Sequence, residues 1–166
     1  HRWLPPEHFG IYRAGDHEYL LNGLAPDLRI EVLFRALARP EHVSNLLSLD
    51  LTAAWVNEAR EVPWAVIQAL QGRVGRYPPM QEAEPVDVCV MFDSNPPDSE
   101  SWWYELFETK KPANAELFKQ PAGDSAEAEN LNNLPKNYSE HLIGGMDADT
   151  ARVYVKGEYG MVREGR

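Results

Sequence analysis

Two apolar, β-prone runs that each stop abruptly in polar groups constrain this chain more than any other feature. The first is Leu51-Thr52-Ala53-Ala54-Trp55-Val56, followed at once by Asn57 and Glu58. The second is Val86-Asp87-Val88-Cys89-Val90-Met91-Phe92, followed by Asp93-Ser94-Asn95-Pro96-Pro97. Short, largely apolar runs bounded by turn residues read as buried strands. Ligands of open α/β sheets sit beyond the carboxyl ends of the strands. Two such strands side by side would carry Glu58 and the Asp93–Asn95 segment to one crevice.

Composition sets the outer limits. A chain of 166 residues, 43% of them hydrophobic, has the length of one domain with a sizeable core. No run of about 18 apolar residues occurs, so no membrane span is expected. The chain opens on His1-Arg2-Trp3 without a Met or an apolar leader, and is expected to have been cut from something longer or processed. Cys89 is the one cysteine, and its apolar neighbours predict a buried small side chain. With 26 acids against 16 bases the formal net charge is −10. Such a chain does not coat DNA by itself, because phosphate neutralisation needs clustered Lys and Arg. A DNA partner would require basic surface from another domain or subunit.

Along the chain, residues 1–27 are rich in Pro, Gly and His and read as an irregular leading segment. Asp16, His17 and Glu18 are metal-capable, but without a second cluster at ligand spacing they read as a solvated turn. Residues 28–37 alternate like a strand, and 40–47 read as a short helix or turn beginning near Pro40. Pro63 and Gly72 bracket a predicted helix over 64–71. Ser99 or Ser101 is placed to cap a helix through 102–107. Residues 116–121 read as a short strand ended by Pro121, 122–134 as a loop, and 137–142 as a short helix stopped by Gly144-Gly145; in 147–159 the Asp-rich start favours a helix, the reading taken, while 151–155 favours a strand by propensity. These elements predict an α/β fold. Residues 28–121 would build a mainly parallel sheet flanked by helices, and 122–166 a small helical subdomain.

The strand ends carry the candidate chemistry. Hydrolysis of a nucleoside triphosphate needs a group that orients the attacking water and a divalent ion on the phosphates. Glu58, held by a rigid strand end, suits the first task; alternatively it opens the next loop or caps the helix after Pro63. Asn57 is neutral, but can fix the water shell of Mg²⁺ by hydrogen bonding. Asp93, Ser94 and Asn95 can sense the terminal phosphate, or they can simply terminate the strand as turn residues. Arg73 and Arg76 lie three apart in a Gly-containing loop. They suit phosphate sensing in cis or across a subunit boundary, or ordinary surface ion pairing. The phosphate-cradling loop G-x-x-x-x-G-K-[ST] does not occur in the 166 residues.

With these residues in view, the chain resembles the large terminase subunit of tailed bacteriophages, the motor that packages viral DNA. The matching stretches run in order through residues 48–63, 72–78, 93–98, 118–121, 129–135 and 155–160, within about 28–162. The resemblance implies a partial P-loop NTPase sheet in which Asn57-Glu58 ends the Walker B strand, with Glu58 the catalytic carboxylate and Asp93-Ser94-Asn95 the coupling motif. It implies ATP and Mg²⁺ as ligands in the full-length protein. Double-stranded DNA, a portal protein and a small terminase subunit are the implied partners of a homo-oligomeric ring in the host bacterial cytoplasm. Asn57 departs from the usual Asp. The Walker A strand would lie upstream of His1 and the nuclease domain downstream of Arg166, so the piece alone is expected to be inactive. The rival readings are another P-loop motor such as a helicase, and a truncated prophage protein that hydrolyses nothing.

Overall fold

The computed structural model describes residues 4–37, 39, 42–82, 87–129 and 131–160. Val86, at the start of the second predicted strand, and Pro40, at the predicted helix start, lie outside the described residues. The chain divides into two compact units, His1–Leu37 and Ala38–Arg166.

The first unit is an antiparallel sheet of β1 (Gly10–Arg13), β2 (Glu18–Leu21) and β3 (Ile30–Leu33), preceded by α1 (Pro6–Phe9). The period of two along β2 explains it. Tyr19 and Leu21 are buried while Glu18 and Leu20 are only partly covered. The Tyr19 hydroxyl donates to the Leu4 carbonyl at 2.6 Å, and the Tyr12 ring meets it edge-on at 6.0 Å. Gly10 has φ +152°, and a Cβ there would collide with the Leu20 carbonyl oxygen, so only glycine lets β1 approach β2 this closely. Arg35 closes the sheet end by pairing with Glu18 at 3.2 Å and donating to the Asp16 carbonyl at 3.2 Å.

The second unit is built on a parallel pair, β4 (Ala54–Val56) and β5 (Val90–Phe92), in the register Ala54↔Val90, Trp55↔Met91, Val56↔Phe92. Between them comes α3 (Trp64–Gln71), which follows Pro63 and ends at Gly72. Val66, Ile67 and Leu70 form its buried stripe, and Leu46 of α2 (Val43–Leu46) is buried with them. Ser101 caps α4 (Trp102–Tyr104) by accepting from the Tyr104 N–H at 3.2 Å. A π-helical turn, Glu105–Lys110, continues it and stops where Lys111 enters the left-handed region. The rings of Phe92, Trp102, Trp103 and Phe107 pack together at centroid distances of 4.8–6.3 Å. Two short helices complete the unit, α5 (Tyr138–Gly144) and α6 (Ala148–Tyr154). Asp147 caps α6 by accepting from the Asp149 and Thr150 N–H groups.

The expected mainly parallel P-loop-type sheet is therefore incorrect. The described residues hold a three-stranded antiparallel sheet and a two-stranded parallel one. The residue 28–37 strand went to the antiparallel sheet, because β3 finds its partner in the neighbouring β2 rather than across the chain in β4. Residues 10–21, read as irregular, form a hairpin instead. Residues 116–121, expected as a short strand, belong to no strand and have no strand partner. Cys89 is exposed rather than buried, because one face of the two-stranded pair is uncovered. Trp55 and Met91, paired across that face, are 69% and 54% exposed.

Candidate functional site

The two polar strand ends lie side by side, because β4 and β5 are adjacent and run the same way. The Asp93 N–H continues the ladder by donating to the Val56 carbonyl at 3.2 Å, and the Ala59 N–H donates to the Asp93 carbonyl at 2.9 Å. The Asp93 carboxylate then clasps the neighbouring strand twice. Its Oδ1 accepts from the Glu58 N–H at 2.9 Å, and its Oδ2 accepts from Trp55 Nε1 at 2.7 Å. Both oxygens are thus engaged with β4 and its exit.

Glu58 sits at the turn this clasp creates. Its backbone is left-handed, φ 50° and ψ 47°, at the start of a 3₁₀ turn over Ala59–Glu61. The left-handed region costs an L-residue roughly 1–2 kcal/mol, and Asn or Gly is the usual occupant. The Glu58 side chain makes no capping hydrogen bond to this turn, and α3 starts from Pro63 with no side-chain cap, so of the two structural alternatives Glu58 opens the following turn rather than capping the helix. Its Oε2 is buried and has no hydrogen-bond partner. A buried acceptor left unpaired costs about 1–3 kcal/mol, and such atoms call for an explanation.

The other sequence candidates distribute unevenly. Asn57, between β4 and Glu58, is exposed. The Ser94 hydroxyl donates to the Asn95 carbonyl at 2.8 Å, which stiffens the exit from β5. Arg73 and Arg76 are tied elsewhere. The Arg73 carbonyl accepts from the Leu51 N–H at 3.1 Å and the Arg76 N–H donates to the Leu51 carbonyl at 3.0 Å. Leu51 precedes β4, whereas Glu58 follows it, so the structure holds these arginines at the opposite end of the strand. Asp16 and His17 form the β1–β2 turn, and Glu18 is paired with Arg35 and Arg13. No group of three His, Cys, Asp or Glu side chains that could hold a metal ion occurs among the described residues.

A second polar cluster was not legible in the sequence. Glu108, on the π-helical turn, accepts from the Tyr159 hydroxyl at 2.8 Å and pairs with Lys119 and, at 3.7 Å, with Lys111. The Lys119 contact first, and the Tyr159 hydroxyl second, hold the Glu108 carboxyl below the usual carboxylate range. Burial, and then the Glu108 carboxylate, push the Tyr159 phenol well above its ordinary value. No spacing rule links a residue 51 positions from its partner.

Comparison of the chain with protein-family models, with curated proteins and with solved structures returns no match. Among the described residues no helix is long and apolar enough to cross a membrane.

Proposed function

We propose that this chain supplies the water-orienting carboxylate and the coupling strand of an ATP-driven DNA-packaging motor of the terminase type. The observation that carries the reading is Glu58 Oε2, a buried oxygen without a partner on a left-handed turn. Strain and an unpaired acceptor kept together are what a functional carboxylate at a strand end displays. The ordered set of motifs from residue 48 to residue 160 supports the same reading.

In this reading Glu58 accepts a hydrogen bond from the attacking water and draws off its proton as the water attacks. Asp93 fixes the turn that aims Glu58, because it binds the Glu58 N–H directly. A displacement of the Asp93–Asn95 strand exit would therefore move Glu58, which is the coupling assigned to that segment. ATP and Mg²⁺ belong to the assembled motor. The described residues do not by themselves fit the metal: Asp93 has both oxygens engaged, Asn57 is a single neutral ligand, and no three-group cluster is present among them. Arg73 and Arg76, held at the far end of β4, are assigned to a neighbouring subunit of a homo-oligomeric ring. Double-stranded DNA, portal protein and small terminase subunit are the proposed partners in a bacterial host cytoplasm. The net charge of −10 assigns the DNA-contacting surface to other parts of that motor.

The test is Glu58→Gln in the intact motor. It keeps shape and reach but removes the charge, so nucleotide binding should persist while turnover falls about 10²-fold or more. Turnover near wild type would make Glu58 a structural residue. A second reading, a folded prophage product without catalysis, is favoured by one observation: the Asp93 carboxylate is wholly spent on holding β4. It stands if the unsubstituted motor has no DNA-stimulated turnover at all.

A further inference from the structure

The parallel pair leaves one sheet edge open, and a cavity runs beside it. The Ala54 N–H donates to the Cys89 carbonyl at 3.1 Å and the Asp93 N–H to the Val56 carbonyl at 3.2 Å, so the odd-numbered residues around β5 direct their main-chain groups at β4. Main-chain groups alternate sides along a strand, so Val90 and Phe92 direct theirs away from β4. Among the described residues nothing pairs with them. A cavity of about 1150 Å³ is lined by residues 88–96 and by residues 114–121, a segment that leaves a turn at Asn114 and belongs to no strand. Phe118 of that segment is 85% exposed. Glu116 and Glu129 also line the cavity, are exposed, and form no ion pair with a described residue. The one lysine of the lining, Lys119, has its charge taken up by Glu108.

We propose that the outer edge of β5 is a docking site for an extended, basic peptide segment of a partner protein, which adds to the sheet as a strand beside β5. Three observations select that occupant. Unpaired N–H and C=O groups at alternate residues are a template for another backbone and for little else. Parallel strands are ordinarily covered on both faces and occur in sheets larger than two, so this pair is short of neighbours. The carboxylates of Glu116 and Glu129, which no cation among the described residues matches although Glu129 Oε2 accepts from Gln120 Nε2 at 3.4 Å, select lysine or arginine in the incoming segment, and with Phe118 they offer both a charged and an apolar contact. The stretch from Val88 to Asn95 spans roughly 23 Å when extended, room for a segment of about seven residues. A second copy of this chain is the poorer occupant, because it carries the same net charge of −10.

The experiment titrates the full chain with a synthetic nine-residue peptide of alternating valine and lysine, following main-chain amide exchange and binding heat. Two further peptides carry N-methyl groups at only the odd or only the even residues. The expected result is slowed exchange at the Val90 and Phe92 amides, and loss of about 10-fold in affinity for one N-methylated peptide but not the other. That asymmetry marks pairing along one edge. The doubly charge-reversed chain, Glu116→Lys with Glu129→Lys, keeps its fold because both residues are exposed. It should bind the lysine peptide about 10-fold more weakly and prefer an alternating valine–glutamate peptide. Unchanged exchange at Val90 and Phe92, equal effects of both N-methylation patterns, or protection that rises with protein concentration alone would each overturn the proposal, the last in favour of self-association.

Discussion

Replacing Asp93 by alanine removes the clasp between the two strand ends, and the structure fixes how much should be lost. Two charge-assisted hydrogen bonds disappear, each worth roughly 1.5–3 kcal/mol when its partner is withdrawn from water. They are not equal. Trp55 is 69% exposed, so its indole N–H turns to solvent and that bond contributes little. The Glu58 N–H is partly buried in a left-handed turn and loses its acceptor. The expected destabilisation is therefore about 2–3 kcal/mol, the larger part from Glu58. Asp93→Asn retains one acceptor oxygen for Glu58 but turns an NH₂ group on the indole N–H, and should cost about 1 kcal/mol. Urea unfolding followed by tryptophan fluorescence reads this, because four of the five tryptophans lie in the Ala38–Arg166 unit. With a denaturant slope of about 1–3 kcal/mol/M the midpoint for Asp93→Ala should fall by roughly 1 M or more. A loss below about 0.5 kcal/mol, typical of an inconsequential surface change, would refute the clasp. So would equal losses for Asn and Ala.

Glu58→Asn should raise stability by about 1 kcal/mol while abolishing the proposed turnover, since Asn tolerates the left-handed backbone and removes a buried unpaired oxygen; denaturation and activity assays on one sample check both. Ser101→Ala should cost about 1 kcal/mol and speed amide exchange at Tyr104, whose N–H loses its acceptor. The Glu108 carboxyl is held below its ordinary value by Lys119 and then Tyr159, so its contribution is present above the unfolded pKa of about 4.3 and fades as pH falls through the lower folded value. The stability difference between the unsubstituted chain and Glu108→Gln should accordingly shrink as pH is lowered from 6 towards about 2. A difference that is flat across that range would remove the charge from the account.

What was legible in the sequence is what local chemistry decides. Pro63 and Gly72 delimit α3 because proline's fixed φ suits a helix start, where no N–H is required of it, and glycine is a poor helix former that ends it. Ser101 caps α4 because its hydroxyl lies within reach of the Tyr104 N–H. The apolar runs ending at Val56 and Phe92 pair in parallel as their strand-like character suggests. Pairing partners were less accessible. Residues 10–21 hold strands only four residues long around a turn of Gly and Asp, and their Pro- and Gly-rich surroundings conceal the alternation. The strand expected over 116–121 does not form, and nothing in those six residues tells whether a neighbouring strand exists. At the site, Glu58 was visible as an acid after an apolar run. Its left-handed backbone, its orphaned oxygen and the double hold of Asp93 on Trp55 and Glu58 arise from juxtaposition across 35 and 38 residues. Pattern within a window carries no information at that range.

Those separations also govern when the strand-end arrangement can come into being. On the ribosome, β4 emerges well before its partner, and Glu58 has no Asp93 to receive its N–H until a further 35 residues have been added. The intervening chain, α3 included, must be gathered into a closed loop before the first parallel hydrogen bond returns anything, which makes such pairings slow to nucleate. Arg60, two residues beyond Glu58, waits longer still, for a Tyr154 hydroxyl 94 positions away. The nascent chain therefore carries Val56 uncovered for at least those 35 residues, and the turn that strains Glu58 cannot be set before Asp93 has arrived.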